Sequence, residues 1–166
     1  MEFIEAKKSF ISNWGSMCIN WGFNRTMGQI HGLLLVSPDP LCTDDIMEEL
    51  KISRGNVNLN IRILLDWGLV RKYFEAGDRK EYFVAEKDLW KVLTNIIKQR
   101  KKKELDPMQD LFKELSSVKV EDKASEEFVR TIKDLALFSQ RANSTIDNLL
   151  KTESGWLMGS FFGLSR

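Results

Sequence analysis

Between Glu2 and Trp21 the apolar residues Phe3, Phe10, Ile11, Trp14, Met17, Cys18 and Trp21 recur at three- and four-residue steps, which predicts a long amphipathic helix. Gly22-Phe23-Asn24 interrupts it, and Asn24 is placed to cap a second helix carrying Met27, Ile30, Leu33 and Leu34. Gly28 and Gly32 lie one turn apart on that helix and would let another helix approach closely. Ser37-Pro38-Asp39-Pro40 ends it, because proline cannot continue a helix, and Leu41-Cys42 can then form a short strand. Two short helices and a hairpin follow. In the first, Ile46 and Leu50 share a face, Thr43 is positioned as cap, and Asp44 and Asp45 complement the helix dipole. In the second, Ser53 is a good N-cap for the N–H near Asn56, and Val57, Ile61 and Leu64 form the inward stripe. Gly68 suits a left-handed C-terminus with Leu69 folding back on Leu64. Strands are predicted from Val70 to Phe74 and from Lys80 to Val84, around a tip at Gly77-Asp78.

Further along, Asp88 to Lys103 is predicted helical, with Leu89, Trp90, Leu93, Ile96 and Ile97 on one side and a break at Pro107. A short helix with Leu111, Phe112 and Leu115 comes next. A last one follows from Ala124 to Ser154, its stripe Phe128, Ile132, Leu135, Phe138, Ala142, Ile146 and Leu149. Thirty residues make about 45 Å of helix, more than one small domain covers, so a partner surface is expected. The fold class is therefore mainly α with a small β-hairpin wing: a winged helix-turn-helix flanked by long N- and C-terminal dimerisation helices. Residues 1–22 form the N-terminal dimerisation helix, 23–87 the DNA-binding domain and 88–166 the C-terminal helical region.

Charge sharpens this picture although the chain's formal net charge is only +1. Between Lys51 and Lys80 seven basic residues stand against three acidic ones, whereas Thr43–Leu50 holds four acids and no base. Positive charge is thus concentrated on the second short helix and the wing, where DNA phosphates would lie. Arg54 is suited to guanine and Asn56 or Asn58 to adenine. Ser53, Gly55, Leu59 and Arg62 complete the candidate surface, with Leu59 set either against a thymine methyl or on a neighbouring loop. Arg79 and Lys80 are the wing's phosphate or minor-groove candidates. Arg25 suits either a phosphate contact or a local salt bridge. The run Lys98–Lys103 reads as a solvated helix end matched to the dipole rather than a nucleic-acid tail.

Other chemistries find little support. His31 is the sole histidine, without a ligand cluster around it, and reads as packed. Cys18 and Cys42 lack metal-ligand spacing, and with no secretory leader they read as reduced thiols of a cytoplasmic protein. There is no phosphate-binding glycine loop and no nucleophile elbow, so neither enzyme activity, cofactor nor metal is expected. No apolar run spans a bilayer; the apolar segment Gly155 to Leu164 is expected to dock on the dimer's own helices, or else to meet a membrane surface or partner.

Three segments carry a resemblance: Gly22-Phe23-Asn24-Arg25-Thr26-Met27-Gly28-Gln29-Ile30-His31-Gly32-Leu33-Leu34, then Ile52 to Asn60 with Trp67-Gly68-Leu69-Val70, then the wing Gly77 to Phe83. Over about Trp21 to Lys87 the chain resembles winged-helix regulators of the MarR superfamily, specifically the GbsR-like branch. The resemblance implies a homodimer held by its N- and C-terminal helices, binding to double-stranded operator DNA, and modulation by a choline-like effector. Trp14, Trp21, Phe23 and Trp67 are the aromatic residues suited to such a cation, with ordinary hydrophobic core as their other reading. The expected function is a ligand-responsive repressor acting on a pseudo-palindromic operator. The alternative is a winged-helix protein-interaction module without specific DNA binding.

Overall fold

The computed structural model describes residues 1–151; the apolar segment 155–164 and the final turn expected of the last helix lie outside them. The chain forms two compact units, 1–92 and 93–166. The first contains α1 (Phe3–Asn20), α2 (Arg25–Val36), β1 (Leu41–Cys42), α3 (Thr43–Leu50), α4 (Arg54–Asp66), β2 (Val70–Tyr73) and β3 (Tyr82–Ala85). The strands form an antiparallel sheet in the order β1-β3-β2, with Leu41 opposite Phe83 and Val70 opposite Ala85. Helix, turn, helix and wing are all present.

The core of this unit gathers Ile30, Leu33, Leu34, Ile46, Val57, Ile61, Leu64, Leu69, Val70 and Phe83, all buried. Local chemistry sets most boundaries. The Asn24 Oδ1 accepts from the Met27 N–H at 2.8 Å, and Ser53 Oγ accepts from the Asn56 N–H at 3.3 Å. Gly68 adopts φ 65°, and the Leu69 N–H reaches back to the Leu64 carbonyl at 2.9 Å, closing α4 as expected. One expected cap differs: Thr43 is the first helical residue of α3, and Cys42 stands at the cap. Its backbone N–H donates to the Asp45 carboxylate at 2.8 Å. Pairing of Cys42 with Tyr82 holds it extended, which moves the helix start one residue earlier.

Glycines let α1 lie directly on α2. A Cβ on Gly28 would fall 2.7 Å from the Cys18 Cβ and 2.9 Å from the Gly15 Cα. The first helix therefore packs within the same unit as the winged helix.

Between these helices His31 is buried, and its Nδ1 accepts a hydrogen bond from the Trp14 indole at 3.2 Å. That bond requires a neutral ring protonated on Nε2, which has no hydrogen-bonding partner among the described residues. Burial pushes the His31 pKa down to about 4 from an ordinary 6.5. A folded pKa below the unfolded one means that the stabilisation is complete above pH 6.5 and is lost as pH falls through that range towards 4. The loss attributable to this group is about 2 kcal/mol by pH 5. Urea midpoints at pH 7.5 and pH 5 should therefore converge more in His31→Asn than in the unmodified chain; an unchanged difference would remove His31 from the acid sensitivity.

In the second unit the chain continues along α5 (Leu89–Arg100), which begins at the end of the first, into a π-helical turn at Lys101–Leu105, then α6 (Asp106–Leu115) and α7 (Lys123–Lys151). The expected break at Pro107 is not a break. The Asp106 N–H bonds the Lys101 carbonyl, a widened turn that carries the helix past the proline, which has no N–H and would crowd the preceding turn. Of the residues expected on one side of α5, Leu89 and Leu93 are exposed and Ile96 is buried, as is Val92.

On α7, Val129, Ile132, Ser139 and Asn143 are the buried residues. The Asn143 amide donates to the Asp106 carboxylate at 3.4 Å. Phe128, Leu135 and Phe138, predicted as part of the apolar stripe, remain exposed, Phe138 by 72%. The helix thus turns a partly polar face inward and leaves aromatic surface outside.

Candidate nucleic-acid interface

Four turns of sequence build the outward side of α4. Its inward stripe (Val57, Asn60, Ile61, Leu64) is buried, so Gly55, Asn58, Leu59 and Arg62 are left exposed, with Asn56 half-buried at the edge. Leu59 is 61% exposed, so it does not pack on a neighbouring loop. Nothing lies within 4 Å of a Cβ built on Gly55, so the first turn of α4 is open for close approach from outside. Ser53 faces solvent as the cap.

Arg54 begins α4 with its guanidinium on the Asp44 carboxylate of α3, a pair exposed on both sides. Such exposed pairs contribute about 0–1 kcal/mol, so the arginine can be drawn onto a stronger acceptor at little cost. The acidic first turn of α3 thereby parks the side chain that sequence reasoning assigned to guanine. A carboxylate ten residues upstream could have signalled this, but only with the turn geometry in hand.

The wing adds a second cationic surface. Arg71 and Lys72 on β2, and Arg79 and Lys80 beyond the tip, are all exposed. Lys72 Nζ meets Glu81 Oε1 across the ladder at 2.6 Å. The tip is ordered by Asp78, which accepts from the Lys80 N–H at 2.9 Å and from the Tyr82 hydroxyl at 2.7 Å, with Gly77 at φ 88°. These bonds hold the Asp78 carboxyl below its ordinary pKa, the Lys80 backbone bond contributing most, and the Asp78 bond pushes the Tyr82 hydroxyl up to about 12. Arg25 lies elsewhere: its guanidinium donates to Ser12 Oγ at 3.2 Å, tying α2 to α1.

The aromatic residues considered for an effector fall into two groups. Phe23 and Trp67 meet edge to face with centroids 4.7 Å apart, while Trp14 stacks on Phe10 at 5.5 Å and tilts against His31 at 6.0 Å. Trp21 is exposed. Among the described residues no cluster of three or more His, Cys, Asp or Glu could hold a metal ion, and no helix is long and apolar enough to cross a membrane. Cys18 and Cys42 are buried free thiols.

Sequence reasoning missed Asn60. It is 1% exposed on the inner side of α4, and its amide bonds both Asn24 and Asn56. Its place in the stripe, one residue before Ile61, was the available signal.

Comparison with known proteins adds independent findings. The profile of the bacterial regulatory protein arsR family matches residues 33–72, which is the helix-turn-helix and the start of the wing. The HTH-type transcriptional repressor GbsR of Bacillus subtilis (strain 168) is 33% identical over 85 residues, covering 51% of this chain and 47% of GbsR. The HTH-type transcriptional regulator MmpR5 of Mycobacterium tuberculosis (strain ATCC 25618 / H37Rv) is 29% identical over 75 residues, covering 45% of this chain and 46% of MmpR5. The chain thus matches about half the length of these relatives. A crystal structure of a transcriptional regulator superposes with a TM-score of 0.67 at 19% identity, covering 87% of this chain and 95% of that one, and shares the fold.

Proposed function

We propose that this chain is a transcriptional regulator of the MarR superfamily, on its GbsR-like branch, that binds double-stranded operator DNA as a cytoplasmic homodimer and represses from it. The observation that carries the reading is the face of α4. A capped helix presents Gly55, Asn58, Leu59 and Arg62 outward with no internal packing role, beside a basic wing. The relatives named as helix-turn-helix regulators, one of them a repressor, support it. The exposed Phe128, Leu135 and Phe138 of α7 support the dimer. Two recognition helices related by a two-fold axis would favour a pseudo-palindrome with half-sites about one helical turn apart. A choline-like effector belongs to this reading through the resemblance, and Phe23 against Trp67 is the assembled aromatic pair it would have to engage.

Exposed apolar side chains on the same unit, Leu59 and Phe74, favour a second reading, a module that binds protein partners. Arg54 separates the two. Arg54→Ala should cost roughly 1–3 kcal/mol of specific binding and relax preference at one base pair per half-site. Asp44→Ala should do the reverse, strengthening binding about two- to fivefold by releasing the arginine and removing a negative charge. Arg79→Ala or Lys80→Ala should weaken all sequences alike and flatten the salt dependence. Fluorescence anisotropy on duplexes selected from genomic DNA measures each. Equal losses of specific and nonspecific binding in Arg54→Ala would contradict base reading, and a salt-insensitive complex with no preferred sequence would favour the protein partner.

A further inference from the structure

A buried amide must have its polar atoms paired, and around Asn60 the pairing runs in one direction only. The starting point is a group whose polarity is fixed. The Met27 backbone N–H can only donate, so the atom of Asn24 that caps α2 at 2.8 Å is its oxygen. The Asn24 nitrogen then donates to Asn60 at 2.8 Å, which makes the receiving atom Asn60 Oδ1. The Asn60 Nδ2 in turn donates to the Asn56 backbone carbonyl and to Asn56 Oδ1, each at 2.8 Å. The backbone carbonyl can only accept, so this step agrees in sense with the first. Both ends of the chain of amides are thereby fixed by main-chain groups, and the Asn56 oxygen is engaged internally. The side-chain atom of Asn56 not engaged by this chain of amides, at the half-buried edge of α4, is its Nδ2, a donor.

We propose that Asn24 and Asn60 are positioning residues that preset Asn56 as a hydrogen-bond donor towards an acceptor on duplex DNA. The proposal rests on the DNA-binding reading above and deepens it. The acceptor is a phosphate oxygen or a base-edge acceptor in the major groove, such as guanine N7 or O6 or thymine O4. The paired contact with adenine needs a donor and an acceptor from one amide, and the Asn56 oxygen already commits one of its two lone pairs to Asn60. That contact falls instead to Asn58, whose side chain is exposed. The relay also joins the start of α2 to the first turn of α4, so the donor is aimed before DNA arrives. Preorganisation of this kind lowers the ordering cost of binding.

The relay itself is tested without DNA. In isotope-labelled full-length protein, through-hydrogen-bond couplings should run from Asn24 Nδ2 to Asn60 Cγ and from Asn60 Nδ2 to Asn56 Cγ. A coupling from Asn56 Nδ2 to Asn60 Cγ overturns the proposal whether or not DNA binds. The DNA arm uses duplexes selected by the unmodified chain from a random-sequence library. Asn56→Ala should weaken binding about three- to tenfold, the scale of one hydrogen bond. Where it relaxes a base preference, 7-deazapurine or the loss of a carbonyl acceptor should weaken the unmodified chain and not the variant; where it relaxes none, methylphosphonate at a single phosphate should do so. Replacing adenine by purine, which removes only the exocyclic amino group, should leave the unmodified chain unchanged at that position, and a loss confined to it overturns the proposal. Asn24→Asp keeps the oxygen that caps α2 but cannot donate to Asn60. Because it leaves Asn60 Oδ1 without its donor, it should melt lower but cooperatively, and reproduce the Asn56→Ala effect while keeping the preference set by Arg54. Full retention of the Asn56-dependent contact in Asn24→Asp would show the relay to be structural only. If no duplex binds at all, the DNA reading fails, and the couplings still decide the relay.

Discussion

Replacing Gly28 with leucine is expected to abolish the cooperative folding of the winged-helix unit. A Cβ there already meets the Cys18 Cβ at 2.7 Å, the Cys18 Sγ at 2.9 Å and the Gly15 Cα at 2.9 Å. The last of these is backbone and cannot turn aside; only a shift of α1 against α2 makes room. That shift would disturb the neighbouring contact, where a Cβ on Gly32 would stand 3.0 Å from the Trp14 ring, and the Trp14–His31 hydrogen bond with it. Overpacking by one or two methylenes costs about 1–3 kcal/mol, and three further carbons exceed that against a total stability of about 5–15 kcal/mol. Gly28→Ala is the graded control. Its clash is offset in part by the gain of about 1 kcal/mol in helix propensity, so it should melt lower but cooperatively. Circular-dichroism melts of the two variants measure this. A leucine variant that melts like the unmodified chain would show that the helices do not approach this closely.

The second large effect concerns assembly. Leu135→Glu combined with Phe138→Glu should convert a dimer into a monomer at micromolar concentration. Both side chains are exposed in the single chain, by 43% and 72%, and Phe128 lies on the same side of α7 about two to three turns away. Burying a Leu or Phe fully is worth about 1.5–3 kcal/mol, and a two-fold interface counts each residue twice. Two carboxylates per chain would cancel that gain and add repulsion. Because the positions face outward, the fold of each chain should be untouched. Sedimentation velocity gives the mass, and operator binding should weaken at least tenfold as the two half-sites lose their linkage. A dimer that survives both substitutions would place the interface away from this face, and an unmodified chain that sediments as a monomer would remove the dimer altogether.

How much of this was legible beforehand depends on the range of the interaction. The winged helix was readable because its boundaries are set by bonds spanning three to five residues. Ser53 reaches Asn56, Asn24 reaches Met27, and Leu69 folds back to Leu64 across Gly68. A residue type at a fixed offset is enough to announce each. Where a non-local partner intervened, the reading slipped: strand pairing with Tyr82 moved the α3 cap from Thr43 to Cys42. At Pro107 the miss was local, because a π turn at Lys101–Leu105 leaves no residue-type signature and absorbed the proline where a break was expected. The apolar stripe of α7 was visible, but its inner face could not be deduced. Asn143 goes inside with its amide on the Asp106 carboxylate of α6, and Gln109 of α6 donates to the Ser139 backbone carbonyl, while the aromatic positions stay out.

The sequence by itself determined the order of the elements, the inward stripe of α4 and the concentration of positive charge on that helix and the wing. Periodicity, capping and composition are properties of neighbouring residues, and the chain carries them whatever surrounds it. Only the tertiary structure decided which side chains on the candidate DNA surface are already committed. Arg54 rests on Asp44 across the turn, and the Asn56 oxygen is held by Asn60, itself held by Asn24 thirty-six residues earlier. A hydrogen bond has a direction and a length, and no local pattern encodes either across such a separation. Packing α2 against α4 supplies both, and with them the polarity of the group that α4 turns outward.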